Sequence, residues 1–310
     1  MVKDYVTYPR EFDGYKWYKP LLSALVAAVF TAVITCAMVF VAVLMIIQEG
    51  GDPSLVAEAL RGGYSGFDSY SAPGAILSLG VVVAFLPGIV IATAIVKDRS
   101  VASLSSSRGG WNMKVFFKCL AAAFVILGIP TIIYHLISTG DIRTEIRFTV
   151  IGFIFCTVLG PLQCIAEEFL FRSMIMQTIG SWFKISIVGV IAQVVIFASL
   201  HPYGILGVTE IVICGTLLGL IAWKSNGLEA SSAIHIVNNL TIFYFTGFGI
   251  GQISDEEPIP SVIITILFMI AYTLFIVLFA KKKGWFDEIK TDDVAVFNMK
   301  KKAKAQNRIR

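Results

Sequence analysis

Eight apolar runs, most of them close to the length that crosses a bilayer, constrain this chain more than any other feature. About 20 predominantly apolar residues carry a helix across the hydrocarbon core. Polar interruptions divide the sequence into candidate segments at 21–47, 75–96, 115–137, 148–178, 185–200, 203–223, 228–247 and 261–280. The composition agrees, since 56% hydrophobic and 15% charged residues lie well outside the averages of soluble globular domains. The expected fold class is therefore all-α, a polytopic membrane bundle of about eight transmembrane helices. The first run follows a polar arm and exceeds the apolar core of a secretory signal, so it reads as a retained anchor.

Basic residues alternate across the connections as the positive-inside rule requires. Lys3, Arg10, Lys16 and Lys19 lie in the arm, Lys97, Arg99, Arg108 and Lys114 in the second connection, and Lys184 and Lys224 in two later ones. Ten more lysines and arginines follow from Lys281 onward, while the opposite side carries only Arg61, Arg143 and Arg147. Both termini are expected in the cytoplasm, with the plasma membrane as location if the source is bacterial. Tyr5, Tyr8, Tyr15, Trp17 and Tyr18 suit the headgroup layer, where amphipathic rings are favoured. The basic tail suits anionic lipid on the inner leaflet better than nucleic acid. Membrane lipids are expected partners; nucleic acid is not.

Five cysteines, Cys36, Cys119, Cys156, Cys164 and Cys214, lie in apolar segments without Cys-x-x-Cys spacing. They indicate neither a disulfide framework nor a zinc ribbon. No internal repeat of the kind used by many transporters is visible. The longest connection, 48–73, is rich in Gly, Ser and Tyr and reads as an external loop. The chain divides into an arm with the first two helices (1–114), a six-helix core (115–280) and a basic cytoplasmic tail (281–310).

The stretch AEEFLFRS, Ala166 to Ser173, sets two carboxylates and a guanidinium inside a segment otherwise fit for lipid. Such a charge at mid-bilayer costs about 2.5–3.5 kcal/mol on insertion scales, so it pairs, faces the bundle interior or lines a wet cavity. On one helix Glu168 and Arg172 are four apart and share a face, while Glu167 points about 100° away. A structural ion pair accounts for this trio as well as chemistry does. Two of the three histidines add to it: His201 in FASLHPYG, where the fifth segment ends at Pro202, and His235 in AIHIVNNL, with Asn239 four residues on. At about 1.5 Å per residue, Glu168 lies ~18 Å from the turn near Gly180, and His235 and Asn239 lie ~10 and ~16 Å from Leu228. Those three can meet. A straight fifth segment lifts His201 by ~24 Å, so that helix has to tilt or start lower for His201 to join them.

A carboxylate and an imidazole can together deprotonate a water, and a second imidazole with an amide can stabilise an oxyanion. These are the requirements of peptide hydrolysis. A zinc or other divalent metal held by Glu167, His201 and His235 is the alternative, weakened by the lack of a His-Glu-x-x-His helix.

Glu-Glu-x-x-x-Arg at Glu167 to Arg172, Phe-x-x-x-His at Phe197 to His201 and His-x-x-x-Asn at His235 to Asn239 occur in that order on three hydrophobic segments. Together they resemble the CPBP family, the CAAX protease and bacteriocin-processing enzymes also called the Abi family. The stretch CGTLLGLIAWKSNGLEASSAIHIVNN is similar to what usually precedes the final motif, and the resemblance covers about 115–245. It implies a CAAX-prenyl-protease-like bundle and an intramembrane endopeptidase. Residue by residue, it implies that Glu167 acts with His201 to activate water, that His235 and Asn239 stabilise the oxyanion, and that Arg172 holds Glu168. The implied substrate is a membrane-associated peptide or protein, such as a prenylated C-terminus in eukaryotes or a leader or pheromone precursor in bacteria. Family members are described both as metalloproteases and as glutamate-dependent proteases, so the cofactor is either a divalent metal such as zinc or none. The site is expected to open toward the cytoplasmic half of the bilayer.

Two other readings compete: a catalytically idle scaffold or bacteriocin-immunity protein acting through binding alone, and an ion-coupled transporter. Gly215 and Gly219 form a Gly-x-x-x-Gly that predicts close packing of the sixth segment.

Overall fold

A computed structural model describes residues 2–52, 54, 56, 68–138, 145–201, 204–250 and 259–306. Arg61, Arg143, Pro202 and residues 53, 55 and 57–67 of the predicted external loop lie outside the described residues. Nine helices organise the described chain, which contains no strand: α1 (Lys19–Gln48), α2 (Ala72–Val96), α3 (Met113–Ser138), α4 (Val150–Phe183), α5 (Ser186–Ser199), α6 (Ile205–Ser225), α7 (Glu229–Gly247), α8 (Ile259–Ala280) and α9 (Asp293–Gln306).

The eight apolar runs correspond to α1 through α8. Six of these helices, all but α5 and α7, are long and apolar enough to cross a membrane. The α5 helix has 14 residues, and α7 has 19 but buries Glu229, Ser231, Ser232 and His235. Large apolar side chains such as Leu25, Val33 and Phe40 of α1, Val158 of α4 and Leu278 of α8 are exposed on the outer faces. A belt of this extent needs a covering, and lipid supplies it.

Helix boundaries follow local chemistry. Ser71, Asn112 and Thr149 accept hydrogen bonds from the first free N–H groups of α2, α3 and α4, the ordinary job of an N-cap. Lys97, Lys184 and Asn226 end α2, α4 and α6 in the left-handed region, with φ of 53°, 61° and 57°. That conformation is commoner for glycine, but the two lysines also place cations at the negative helix ends.

These ends gather on one side of the bundle. Ser107 N donates to Asn226 O, Leu228 N to Ser105 O, and Lys290 N to Arg108 O, while Trp182 Nε1 donates to Trp17 O. The arm, the 97–112 connection, the turns after α4 and α6, and the tail thus form one cap.

Within that cap the arm departs from its predicted place in the headgroup layer. Trp17 and Tyr18 are exposed, but Tyr5 and Tyr8 are only 0% and 3% exposed. Tyr5 OH donates to Leu104 O, and the Asp4 carboxylate accepts from Trp223 Nε1 and Ser186 Oγ. Burial pushes both phenols above their ordinary range. Tyr5 joins an apolar cluster with Val6, Leu104 and Met176.

Two apolar clusters hold the bundle. One joins α3, α4, α6, α7 and α8 through Cys119, Leu127, Cys164, Ile221, Ile234 and Met269, with Tyr272 OH donating toward Cys119 O and Ala230 O. The other joins the arm, α1, α2 and α4 through Tyr5, Val6, Ala27, Ile89 and Met174. Residues 1–114 therefore pack directly on the helix that carries the Glu-Glu pair. Gly215 and Gly219 do what their spacing predicts: a Cβ would stand 3.2 Å from the Phe197 ring at the first and 2.7 Å from Gln193 Nε2 at the second.

Candidate active site

The α4 helix is irregular where its charges lie. Pro161 removes a backbone donor, and Phe169–Ile175 form a π-helical turn beginning immediately after Glu168. Such turns widen the helix, and α2, α3 and α8 each contain one as well. Arg172 Nη1 nevertheless stands 3.1 Å from Glu168 Oε1, with both side chains fully buried. This is the pairing the four-residue spacing predicts.

The contact is an ion pair rather than an aligned hydrogen bond, and no N–H of the guanidinium is hydrogen-bonded among the described residues. The cation instead lies 4.8 Å from the Phe197 ring centroid and 5.9 Å from that of Phe171, where the ring faces attract it.

The α7 helix extends the chain of contacts. His235 Nδ1 lies 2.9 Å from Glu168 Oε1. A carboxylate paired with arginine is an acceptor, so Nδ1–H donates in this contact and the ring orientation is fixed. His235 Nε2 then faces Glu167 Oε2 at 3.5 Å. The second oxygen of Glu167 accepts from Gln163 Nε2, one turn earlier on α4. Glu167 is 12% exposed where Glu168 is fully buried, so of the two carboxylates it is the one within reach of water.

His201 lies just past the end of α5. Its Nδ1 is 2.8 Å from Phe197 O, and its ring is 4.6 Å from that of Phe197. Phe197 thus touches both His201 and Arg172. Asn239 Oδ1 accepts from Asn238 Nδ2 at 3.2 Å. Asn239 and Gln163 share a cavity of about 380 Å³ with Tyr70, Leu79, Gly160 and Phe243.

Tyr70 belongs to the connection opposite the cap, so this cavity approaches the site from the side away from arm and tail. On the other side the layer beyond Arg172 is packed. Ser173, Gln177 and Arg99 are buried there, and Arg99 Nη1 donates to Gln177 Oε1. Among the described residues no group of three or more His, Cys, Asp or Glu could hold a metal ion.

Residues 147–241 match the family model of type II CAAX prenyl endopeptidases, Rce1-like. This segment is similar to the Rce1-like domain of those endopeptidases. It lies inside the region of resemblance and contains Glu167, Glu168, Arg172, His201, His235 and Asn239. Searches of the curated proteins and of the solved structures return no match. At family level the Rce1-like domain supports a CAAX-protease-type hydrolase in an integral, multi-pass membrane protein acting on a membrane-associated peptide.

Three residues of the Rce1-like domain join the site without having been singled out. Gln163 precedes Glu167 by four and so shares its face, a signal readable from spacing. Cys164 Sγ sits 3.8 Å from His235 O. Gln193 Nε2 donates to Gly215 O at 2.9 Å and ties α5 to α6 beneath Phe197. The last two carry no sequence signal beyond being polar in apolar segments.

Proposed function

We propose that the chain is an intramembrane endopeptidase in which Glu167 activates a water to hydrolyse a peptide bond. The observation that carries this reading is the buried relay from Arg172 through Glu168 and His235 to Glu167, inside the Rce1-like domain. Arg172 neutralises Glu168, and Glu168 holds His235 by its Nδ1–H. Glu167 takes a proton from water, and the hydroxide attacks the carbonyl carbon. His235 Nε2–H and the Asn239 amide meet the negative charge that develops on oxygen, placed in advance of the reaction. Glu167 returns its proton to the amine as the C–N bond breaks. His201 joins Glu167 on the water once substrate is bound, the role the family resemblance implies.

A binding-only scaffold has no use for a second carboxylate at the accessible end of such a relay. The basic residues of arm, connection and tail gather on one side of the bundle, which supports a cytoplasmic position for that side. The substrate class is a peptide held at the membrane, prenylated or carrying a hydrophobic leader.

Reconstituted protein incubated with farnesylated and leader peptides, with products read by mass spectrometry, tests the proposal. Cleavage by the native chain and none by Glu167→Gln at equal incorporation supports it; equal products from both overturn it. Cleavage that survives a chelator separates the carboxylate route from a metal route.

A further inference from the structure

A second cavity, of about 780 Å³, lies within the cap, far from Glu167. Lys19 at the start of α1, Lys97 and Arg99 after α2, and Lys300 and Lys301 of α9 all line it, and no carboxylate does. Among the described residues none of those four lysines forms an ion pair. Lys19 Nζ reaches only backbone, 3.5 Å from Val96 O and 3.3 Å from Lys97 O, and Lys301 Nζ donates to Asp13 O. Arg99 Nε is 4.0 Å from Asp98 Oδ2, which offsets one of the five charges. Like charges around one cavity repel, and an anion between them relieves that repulsion.

The walls are held by specific contacts. Phe297 of α9 packs edge-on against Phe12 of the arm, with centroids 5.3 Å apart. Asp13 N donates to Asn298 Oδ1 at 3.0 Å, and Ser100 Oγ donates to Asp293 Oδ2. The cavity is therefore bounded by three separate parts of the chain.

Its position narrows the kind of anion. Lys19 and Lys97 mark the ends of α1 and α2, where apolar helix gives way to polar chain. One turn from Thr93, which lines the basic cavity, Ile89 helps line an apolar groove of about 360 Å³ with Pro20 and Ala24 of α1 and Met174 and Thr178 of α4. A cationic pocket at the membrane edge beside an apolar groove matches a molecule with an anionic head and a hydrocarbon chain.

We propose that this cavity binds the phosphate of an anionic phospholipid whose acyl chain lies along the groove that α1 and α2 form with α4. The proposal is independent of the peptidase reading. A bound lipid would tie α9 to the ends of α1 and α2 and so hold the cap closed over the bundle.

The test is native mass spectrometry of the full-length protein in detergent, titrated with phosphatidylglycerol, phosphatidylcholine or inorganic phosphate. The native chain is expected to take up one phosphatidylglycerol saturably and in preference to phosphatidylcholine. A Lys97→Gln/Lys300→Gln/Lys301→Gln variant of unchanged thermal stability is expected to bind it at least about tenfold more weakly, given the contribution of each cation near an anionic headgroup. Should the triple variant fail to fold, Lys300→Gln alone, on the surface of α9, is expected to weaken binding severalfold. Equal phosphatidylglycerol affinity in native and variant chains overturns the proposal, as does equal uptake of phosphatidylcholine. Displacement of the lipid by inorganic phosphate at equal concentration assigns the cavity to a free anion and overturns the lipid assignment.

Discussion

Arg172 is buried on every side and lies beside one carboxylate and two aromatic faces. Removing one partner of a buried pair leaves the other uncompensated, at a cost of about 3–5 kcal/mol. Arg172→Met is therefore expected to lower thermal stability sharply, and the double change Glu168→Gln with Arg172→Met to recover part of the loss in the same unfolding assay. Gln163→Ala should leave stability within about 1 kcal/mol, since one hydrogen bond at a partly exposed carboxylate is lost. It should still lower kcat more than it raises KM, because Glu167 loses the group that aims it. Spacing alone makes the Glu168–Arg172 pair and the Gln163–Glu167 pair legible. The contact of His235 Nδ1 with Glu168 is not, because it depends on how α7 rotates against α4.

The helices themselves were legible, since apolar run length determines them, and the α4 irregularity was not. Nothing in FLFRSMI distinguishes a π turn from a regular one. The arm was misread because buried aromatic rings and headgroup rings look alike in sequence, and only Trp17 and Tyr18 lie outside. Close helix packing gives a graded prediction. A Cβ at Gly189 would stand 2.5 Å from the Met176 carbonyl oxygen, fixed backbone, whereas at Gly160 it meets the far end of the Leu240 side chain at 2.6 Å. Gly189→Ala is expected to destabilise by about 1–3 kcal/mol and Gly160→Ala by less, as read from unfolding midpoints of the purified proteins.

At the scale of the whole molecule, the cap couples the termini to the bundle, and part of that coupling titrates. Burial raises the pKa of Asp293 above the ordinary carboxylate range, Asp292 adds to the rise, and the Ser100 hydrogen bond opposes it. The docked state thus favours the protonated form. Its contribution is fully present below the ordinary carboxylate pKa and is lost as pH rises through the raised value. Limited proteolysis should cut α9 faster at neutral than at mildly acidic pH, and Asp293→Asn should remove the difference.

The central claim is that Glu167 makes this membrane bundle an endopeptidase. The most direct measurement compares peptide termini in membranes from cells carrying either the native chain or Glu167→Gln at equal levels. The account predicts defined new termini with the native chain alone. Identical termini in both, with a phenotype of the native chain that persists in the variant, would contradict it.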